Sequence, residues 1–399
     1  MIKIALLGYG TIGSGVATVL KENQNSIAAK AGSGIEIKYI LDLRDFPGDP
    51  NEDKVIRDYQ IILDDPEIQI VVEAMGGEEP AHTFAKQALL AGKHFATSNK
   101  ALVARYGAEL LQIAAEKNVN FFFEASVGGG IPIIRAMNTC LTADEILEIT
   151  GILNGTTNYM MTMMSEEGSE FADALKDAQA KGFAEADPTA DIEGYDACRK
   201  IAILTSLASG RQMNFEDIPT EGIVSISAAD IRYAAKMGRT IRLLATSRKT
   251  EDGYLALVAP FLLPPEHPLS TVKGVFNAVF VKGNMLGDAM FYGQGAGSLP
   301  TASAVVADII DIARNLDRYL PVAWEAEAML PVDSRKMVCR NFVRTDCGKD
   351  AVEKAFGPVE FLEPEQEGET AFVTGEMDGY AYEAAAQQLG SISNRIRLG

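Results

Sequence analysis

The sequence predicts an α/β protein in three parts. These are an N-terminal doubly wound parallel sheet, an α+β part on an open sheet, and a small C-terminal module of order βαββαβ. Three observations carry this prediction. A short buried strand, Ile2 to Leu7, runs into glycines at Gly8, Gly10 and Gly13 and then into a helix. Strand and helix patterns alternate from there to about residue 130, as in a parallel sheet with helices on both faces. Beyond it the period changes, and glycine-punctuated strand pairs such as FNAVFVKGNMLGDAMFYGQGAG appear.

A chain of 399 residues is too long for one ordinary core. Its 47% hydrophobic and 23% charged residues are those of a soluble globular protein. The net charge of −19, from 36 basic and 55 acidic residues, argues against nucleic-acid and anionic-membrane partners. A phosphate-bearing ligand would therefore need a local site. The apolar run at the N-terminus is far too short for a signal peptide or a span. Cys140, Cys198, Cys339 and Cys347 are scattered without metal-type spacing and read as reduced thiols. The expectation is a cytoplasmic multidomain protein.

The opening strand–glycine–helix unit is the dinucleotide fingerprint in its required context, that of a Rossmann-type sheet. Gly8 makes the tight turn, Gly10 lets the backbone approach a pyrophosphate, and Gly13 allows close helix–strand packing. The pyrophosphate would rest on the helix N-terminus, where free N–H groups and the dipole favour an anion. The second strand, Ile35 to Leu41, ends in Asp42, Leu43 and Arg44. An acid there suits the ribose of NAD, and an arginine suits the 2′-phosphate of NADP, so coenzyme choice stays open. Further units follow: IQIVVEAMGG, PAHTFAKQALLAGK, a strand HFATSNKALV, a helix around Ala108 to Lys117, and a strand VNFFFEASV. Ligands bind beyond the carboxyl ends of such strands. Glu73, Lys100 and Glu124 are expected there on one shared rim. After the turn Gly128 to Gly130, a strand breaks at Asn154-Gly155 into a helix, whose start would suit a carboxylate or be plainly N-capped.

The stretch KGFAEADPTADIEGYDACRK, residues 181 to 200, carries Glu185, Asp187, Asp191, Glu193 and Asp196 before Arg199 and Lys200. Pro188 and Gly194 break its first half into a loop, and the apolar run after it reads as a buried helix stopped by Gly210. Asp196 and Lys200 then lie one turn apart on one helical face. On spacing alone this would be a solvated acidic loop with an ordinary ion pair.

Taken together, GYGTIGSGV, TSNKALVA, EASVGGGIPII, GILNGTTNYM, GFAEADPTADIEGYDACRK and YGQGAGSLPTASAVVADI resemble the homoserine dehydrogenase family in order and spacing over roughly residues 1 to 320. The resemblance implies interconversion of aspartate semialdehyde and homoserine with NAD or NADP, a step toward threonine, methionine and isoleucine. It implies Lys200 as proton donor and acceptor, Lys100 beside it near the nicotinamide, and Asp196 supporting the lysine. Glu185 would bind the substrate ammonium with Asp191 supporting it, and Gly155, Thr156 and Phe183 would border the substrate. Many members carry Tyr where this chain has Phe183, so a phenol contact is missing and carboxylate binding would rest more on Thr156 and the lysines. Cofactor contacts are implied at Gly8, Gly10, Thr11, Ile12, Gly13, Asp42, Arg44, Gly76, Thr97, Ser98, Lys100 and Gly295. A monovalent cation, Na⁺ or K⁺, would sit on Glu124 and the backbone of Val127, Gly129 and Ile131. The family is dimeric or tetrameric.

The implied layout is a cofactor domain over residues 1–130, completed by about 293–325, and a substrate and dimerisation domain over 131–292. A short tail over 331–399 is ACT-like in its order of elements, and threonine as an effector rests on that order alone. The rival readings are a dehydrogenase of a related semialdehyde or hydroxy acid, and a non-catalytic NAD(P)-binding regulator. A regulator has no need of the Asp196–Lys200 pair, and Cys198 lies inside a helix, not at the strand end an acylating enzyme needs.

Overall fold

The computed structural model describes residues 1–399. Strands β1 (Ile2–Leu7), β2 (Ile35–Leu41), β3 (Val55–Ile56), β4 (Ile68–Glu73), β5 (His94–Thr97) and β6 (Phe121–Phe122) form one six-stranded sheet of order β3-β2-β1-β4-β5-β6. Every pairing in it is parallel. β1 lies in the centre because its alternate residues are apolar toward both faces. Ile4 and Leu6 pack with Ala302, Val305 and Ile309, and Ala5 and Leu7 with Ala85, Leu89 and Leu102. The first group belongs to helix Ser298–Ala313, so the chain returns to cover this sheet after laying down the first five strands of the second one.

Two local expectations are corrected. The helix expected around Ala108 begins at Lys100 and runs to Lys117, so Lys100 is its first residue and not a strand end. The cause is Asn99, whose Oδ1 accepts from the N–H groups of Ala101 and Leu102 at 3.1 and 3.2 Å and caps the helix. The strand expected through Val127 stops at Phe122, because Glu124–Ser126 winds into a 3₁₀ turn.

The second sheet is mixed. β7 (Ile146–Ile152) is followed by a short β8 (Arg211–Met213), then by β9 (Thr240–Thr250) and β10 (Gly253–Leu263), an antiparallel hairpin. β11 (Phe276–Gly283) and β12 (Gly287–Gln294) make the expected glycine-turn pair, and β13 (Glu325–Met329) runs beside β8 as a separate ribbon. In the tail, β14 (Asn341–Thr345), β15 (Glu360–Leu362), β16 (Thr370–Val373) and β17 (Asn394–Leu398) alternate with helices Lys349–Phe356 and Gly379–Leu389 in the expected βαββαβ order. Their arrangement β17-β14-β16-β15 is antiparallel, the ferredoxin-like split βαβ. This tail has no sheet of its own. β17 pairs parallel to β10 through Phe261 and Leu262, extending the open sheet to nine strands. No helix is long and apolar enough to cross a membrane.

A buried polar clasp also fastens the tail. Asp230, wholly buried in helix Ala228–Lys236, takes a 2.9 Å bond from Arg344 of β14, and the same guanidinium reaches Glu369 at 2.7 Å. Asn394 donates to the other oxygen of Asp230 at 2.9 Å. Removing one partner of a buried ion pair strands the other, at about 3–5 kcal/mol. Arg344→Ala should therefore lower unfolding free energy in urea by roughly 3 kcal/mol or more, and a change within about 0.5 kcal/mol would mean the clasp carries no stability.

Candidate active site

The fingerprint turn has the geometry its glycines require. Gly8 has φ +91°, and a Cβ on Gly13 would stand 2.1 Å from the carbonyl oxygen of Gly8. No side chain caps helix Thr11–Glu22, so its first N–H groups face a cavity of about 760 Å³ lined by Gly10, Thr11 and Ile12. Asp42 and Arg44 border the same cavity. They are not independent. The Asp42 carboxylate accepts from Arg44 Nε and Nη2 at 3.0 and 2.8 Å and from the backbone of Tyr9 at 2.8 Å. The arginine holds this carboxyl well below the usual carboxylate range. Arg57 stands beside them on the cavity wall.

A second cavity of about 540 Å³ adjoins the first and shares Ile12, Ala74 and Met75 with it. Lys100, Lys200 and Glu185 meet there, opposite Gly76, Ser98 and Gly295. Gly194, left-handed at φ +84°, ends the short helix Thr189–Ile192 and starts helix Tyr195–Ser209, which Gly210 stops as expected. That helix delivers Asp196 and Lys200 on one face. The Asp196 carboxylate, buried, lies 2.7 Å from Lys200 Nζ and 2.5 Å from Lys100 Nζ. Lys200 Nζ also donates to the Leu153 carbonyl at 2.7 Å.

Burial alone would raise the Asp196 carboxyl, but the charges of Lys200 and Lys100 outweigh it and hold the group below the ordinary range. The two lysines then diverge. Burial pushes Lys200 down, and the nearby Lys100 charge adds to that against the pull of Asp196. Lys100 is raised, chiefly by the Asp196 charge. A poised lysine beside a lysine fixed as a cation is an arrangement for proton transfer at an oxygen that gains negative charge.

Asn154 was legible only as the break between strand and helix, and it does more. Its Oδ1 accepts from Thr157 N–H at 2.8 Å, while its Nδ2 donates to both Asp191 and Asp196 at 2.8 Å. Burial, then the Asp196 charge, raises the Asp191 carboxyl. Glu185 is exposed on the cavity wall and makes no ion pair, which leaves its carboxylate free for an ammonium group.

Other expected residues lie elsewhere. Thr156 spends its hydroxyl on the Phe183 carbonyl at 2.6 Å, so what it can offer a carboxylate is its backbone N–H, beside that of Gly155 at the helix start. Phe183 stacks edge-on against Tyr159, ring centres 4.9 Å apart. Glu73, Lys100 and Glu124 do not share a rim. Glu73 is wholly buried, accepting from the N–H groups of Met75 and Gly76 and from the Thr97 hydroxyl. Thr97 is thereby turned from the cavity, although Ser98 lines it. Glu124 accepts from Ile134 and Arg135 N–H at 2.9 and 2.7 Å and faces a separate small void. A buried carboxylate must collect donors, and Glu73 finds them in the turn after its strand while Glu124 finds them at the helix start Ile133–Arg135. Beside Glu124 lies Asp308, which no spacing singled out, buried on the returning helix and paired with Arg135 at 2.7 Å.

Two family models match, one described as homoserine dehydrogenase over residues 132–310 and one as its NAD-binding domain over 8–124. A homoserine dehydrogenase of Neisseria gonorrhoeae is 44% identical over 351 residues, 83% of this chain and 79% of that one. The solved homoserine dehydrogenase of Thiobacillus denitrificans superposes with a TM-score of 0.92 at 37% identity, covering 100% of this chain and 98% of the other. A hyperthermophilic archaeal homoserine dehydrogenase in complex with NADPH gives 0.66 at 29% identity, covering 78% and 97%. With its dinucleotide cavity opening onto a two-lysine site, the chain belongs to the homoserine dehydrogenase family, NAD(P)-dependent oxidoreductases that act on a CH–OH group.

Proposed function

We propose that the chain interconverts L-aspartate 4-semialdehyde and L-homoserine with Lys200 as the proton donor and acceptor. The observation that carries this is the Asp196 carboxylate shared by Lys200 and Lys100 at the mouth of the dinucleotide cavity. The bound nicotinamide supplies the hydride to the aldehyde carbon. Lys200 gives its proton to the aldehyde oxygen as charge builds there, and takes one from the hydroxyl in the reverse direction. Lys100 stays cationic and stabilises the oxygen's charge. Glu185 holds the substrate ammonium. The free N–H groups at Gly155 and Thr156 receive its carboxylate, with a helix dipole behind them.

Coenzyme choice rests on Asp42 and Arg44. Because the acid is already engaged by the arginine, we read the pair, with Arg57 nearby, as admitting NADP as well as NAD. Homoserine-dependent reduction of NAD⁺ and of NADP⁺ side by side checks this, and exclusive use of NAD⁺ would refute it. For a monovalent cation, Na⁺ or K⁺, the reading rests on the oxygen chemistry of Glu124 and the backbone carbonyls of Val127, Gly129 and Ile131. The carbonyls of Val127 and Gly129 accept no backbone bond, which fits that use, whereas that of Ile131 accepts from Ile133 N–H at 2.9 Å. Equal activity in choline and in potassium chloride at fixed ionic strength would remove the cation. Exposed Met290 and Tyr292 on the edge strand β12 support a dimer or tetramer, and a monomeric sedimentation profile would overturn it. Threonine as an effector of the ferredoxin-like tail falls if saturating threonine leaves the rate unchanged.

Lys200→Ala should lower turnover by at least about a hundredfold in both directions with the protein still folded. Steady-state kinetics and circular dichroism together check this, and an enzyme retaining most of its activity removes Lys200 from the chemistry. Homoserine oxidation needs neutral Lys200, and burial lowers that group, so the oxidative kcat/KM should rise with pH and level off below the ordinary lysine value of about 10.4. A flat profile between neutral and alkaline pH excludes lysine as the base. Glu185→Ala should raise KM for homoserine while equilibrium coenzyme binding stays near normal. Loss of coenzyme binding in that variant would contradict the role.

A further inference from the structure

Asn277 in β11 is wholly buried, and neither atom of its carboxamide has a hydrogen-bond partner. An unpaired buried polar group is destabilising, and an apolar residue of the same shape would be neutral or better. The fold therefore has no structural reason to hold an amide here. Its surroundings supply another. Asn277 stands opposite Gly293 in the β11–β12 register, and its carboxamide presses on Gly295, where an added Cβ would come within 2.0 Å of Nδ2. On the other side, its Oδ1 lies 3.7 Å from the place a Cβ on Gly155 would occupy.

One neighbour lines the reacting cavity, and the other opens the helix whose cap holds that cavity's buried acid. Gly295, Ala296 and Gly297 form one wall of it, facing Lys100, Lys200 and Glu185. This strap is also gripped from the cofactor side, where Gly130 N–H donates to the Gln294 carbonyl at 3.2 Å and Gly129 packs on Gly295 too closely for any side chain. Gly155 opens the helix whose cap, Asn154, holds Asp191 and Asp196. The N–H groups of Gly155 and Thr156 have no acceptor within the protein. Asn277 is thus wedged between the wall over the coenzyme and the start of the substrate helix, with its hydrogen-bonding capacity unspent.

We propose that Asn277 is a positioning residue of this active site: when coenzyme and the amino-acid substrate fill the cavity, its carboxamide pairs with peptide groups of the Gly293–Gly297 strap and of Gly155, and fixes the two relative to each other. The proposal rests on the cavity being the site of hydride transfer. It acts through the strap and the helix start, not on the reacting atoms.

The test is Asn277→Leu in the full-length chain, with Asn277→Ser and Lys200→Ala alongside. The leucine fills the same space without polar atoms. Expected are a thermal midpoint equal to or above the parent's, a loss of about tenfold or more in kcat/KM for homoserine oxidation, and weaker NADPH binding by fluorescence titration. Asn277→Ser, which returns a hydroxyl and room for water, should recover part of the loss. Parental kcat/KM in the leucine variant overturns the proposal. So does a fall in its thermal midpoint or a failure to fold, because Asn277 would then be an ordinary core residue. Lys200→Ala separates the two claims. If it stays active the site reading fails, and if it is inactive while Asn277→Leu is normal, this inference fails alone.

Discussion

One buried carboxylate, Asp196, draws two lysines from different parts of the chain into one site. Asp196 has left water, a cost that an isolated acid in a protein interior meets by taking a proton. It stays ionised because two ammonium groups reach it from different parts of the chain. Lys200 comes from one turn further along its own helix, and Lys100 from the first residue of a helix in the cofactor sheet. The two cations disfavour each other, and the more buried one yields. The acid raises Lys100, whereas burial, against the pull of that same acid, lowers Lys200. Asn154 donates to the acid and also caps the next helix, so one carboxamide ties the two together.

The fold brings these pieces together by running the chain out of the cofactor sheet and back. The parallel sheet ends at its carboxyl edge with the fingerprint turn and Lys100. The mixed sheet contributes β7, whose end carries Leu153 and Asn154. Helix Ser298–Ala313 then completes the core of the first sheet, and the strap before it becomes the wall between the two sets of residues. The site is the seam of two sheets.

Much of this was legible locally. The glycine fingerprint, the strands Ile2–Leu7 and Ile35–Leu41, and the Asp196–Lys200 pair depend on neighbours within a turn or two, and they appear as read. Lys100 was found for a partly wrong reason. It was placed at a strand end, whereas Asn99 caps a helix two turns earlier than apolar periodicity indicated. Glu73 and Glu124 were assigned to the cavity because strand ends face it, but which way a buried acid turns depends on backbone donors that no spacing reveals. The tail's six elements followed from their patterns. Its joining to β10 did not, because strand pairing between residues 261 and 397 is a matter of long-range register. The meeting of Lys100 with Asp196, and the empty-handed Asn277, are likewise products of tertiary packing.

The central claim, that burial lowers Lys200 while the Asp196 charge raises Lys100, is open to direct titration. Lysines labelled with ¹³C at Cε report their own protonation by NMR, and Lys100→Arg and Lys200→Arg assign the two signals. Lys200 should titrate below the ordinary lysine value of about 10.4 and Lys100 above it. A Lys200 signal that titrates at or above that value would contradict the account.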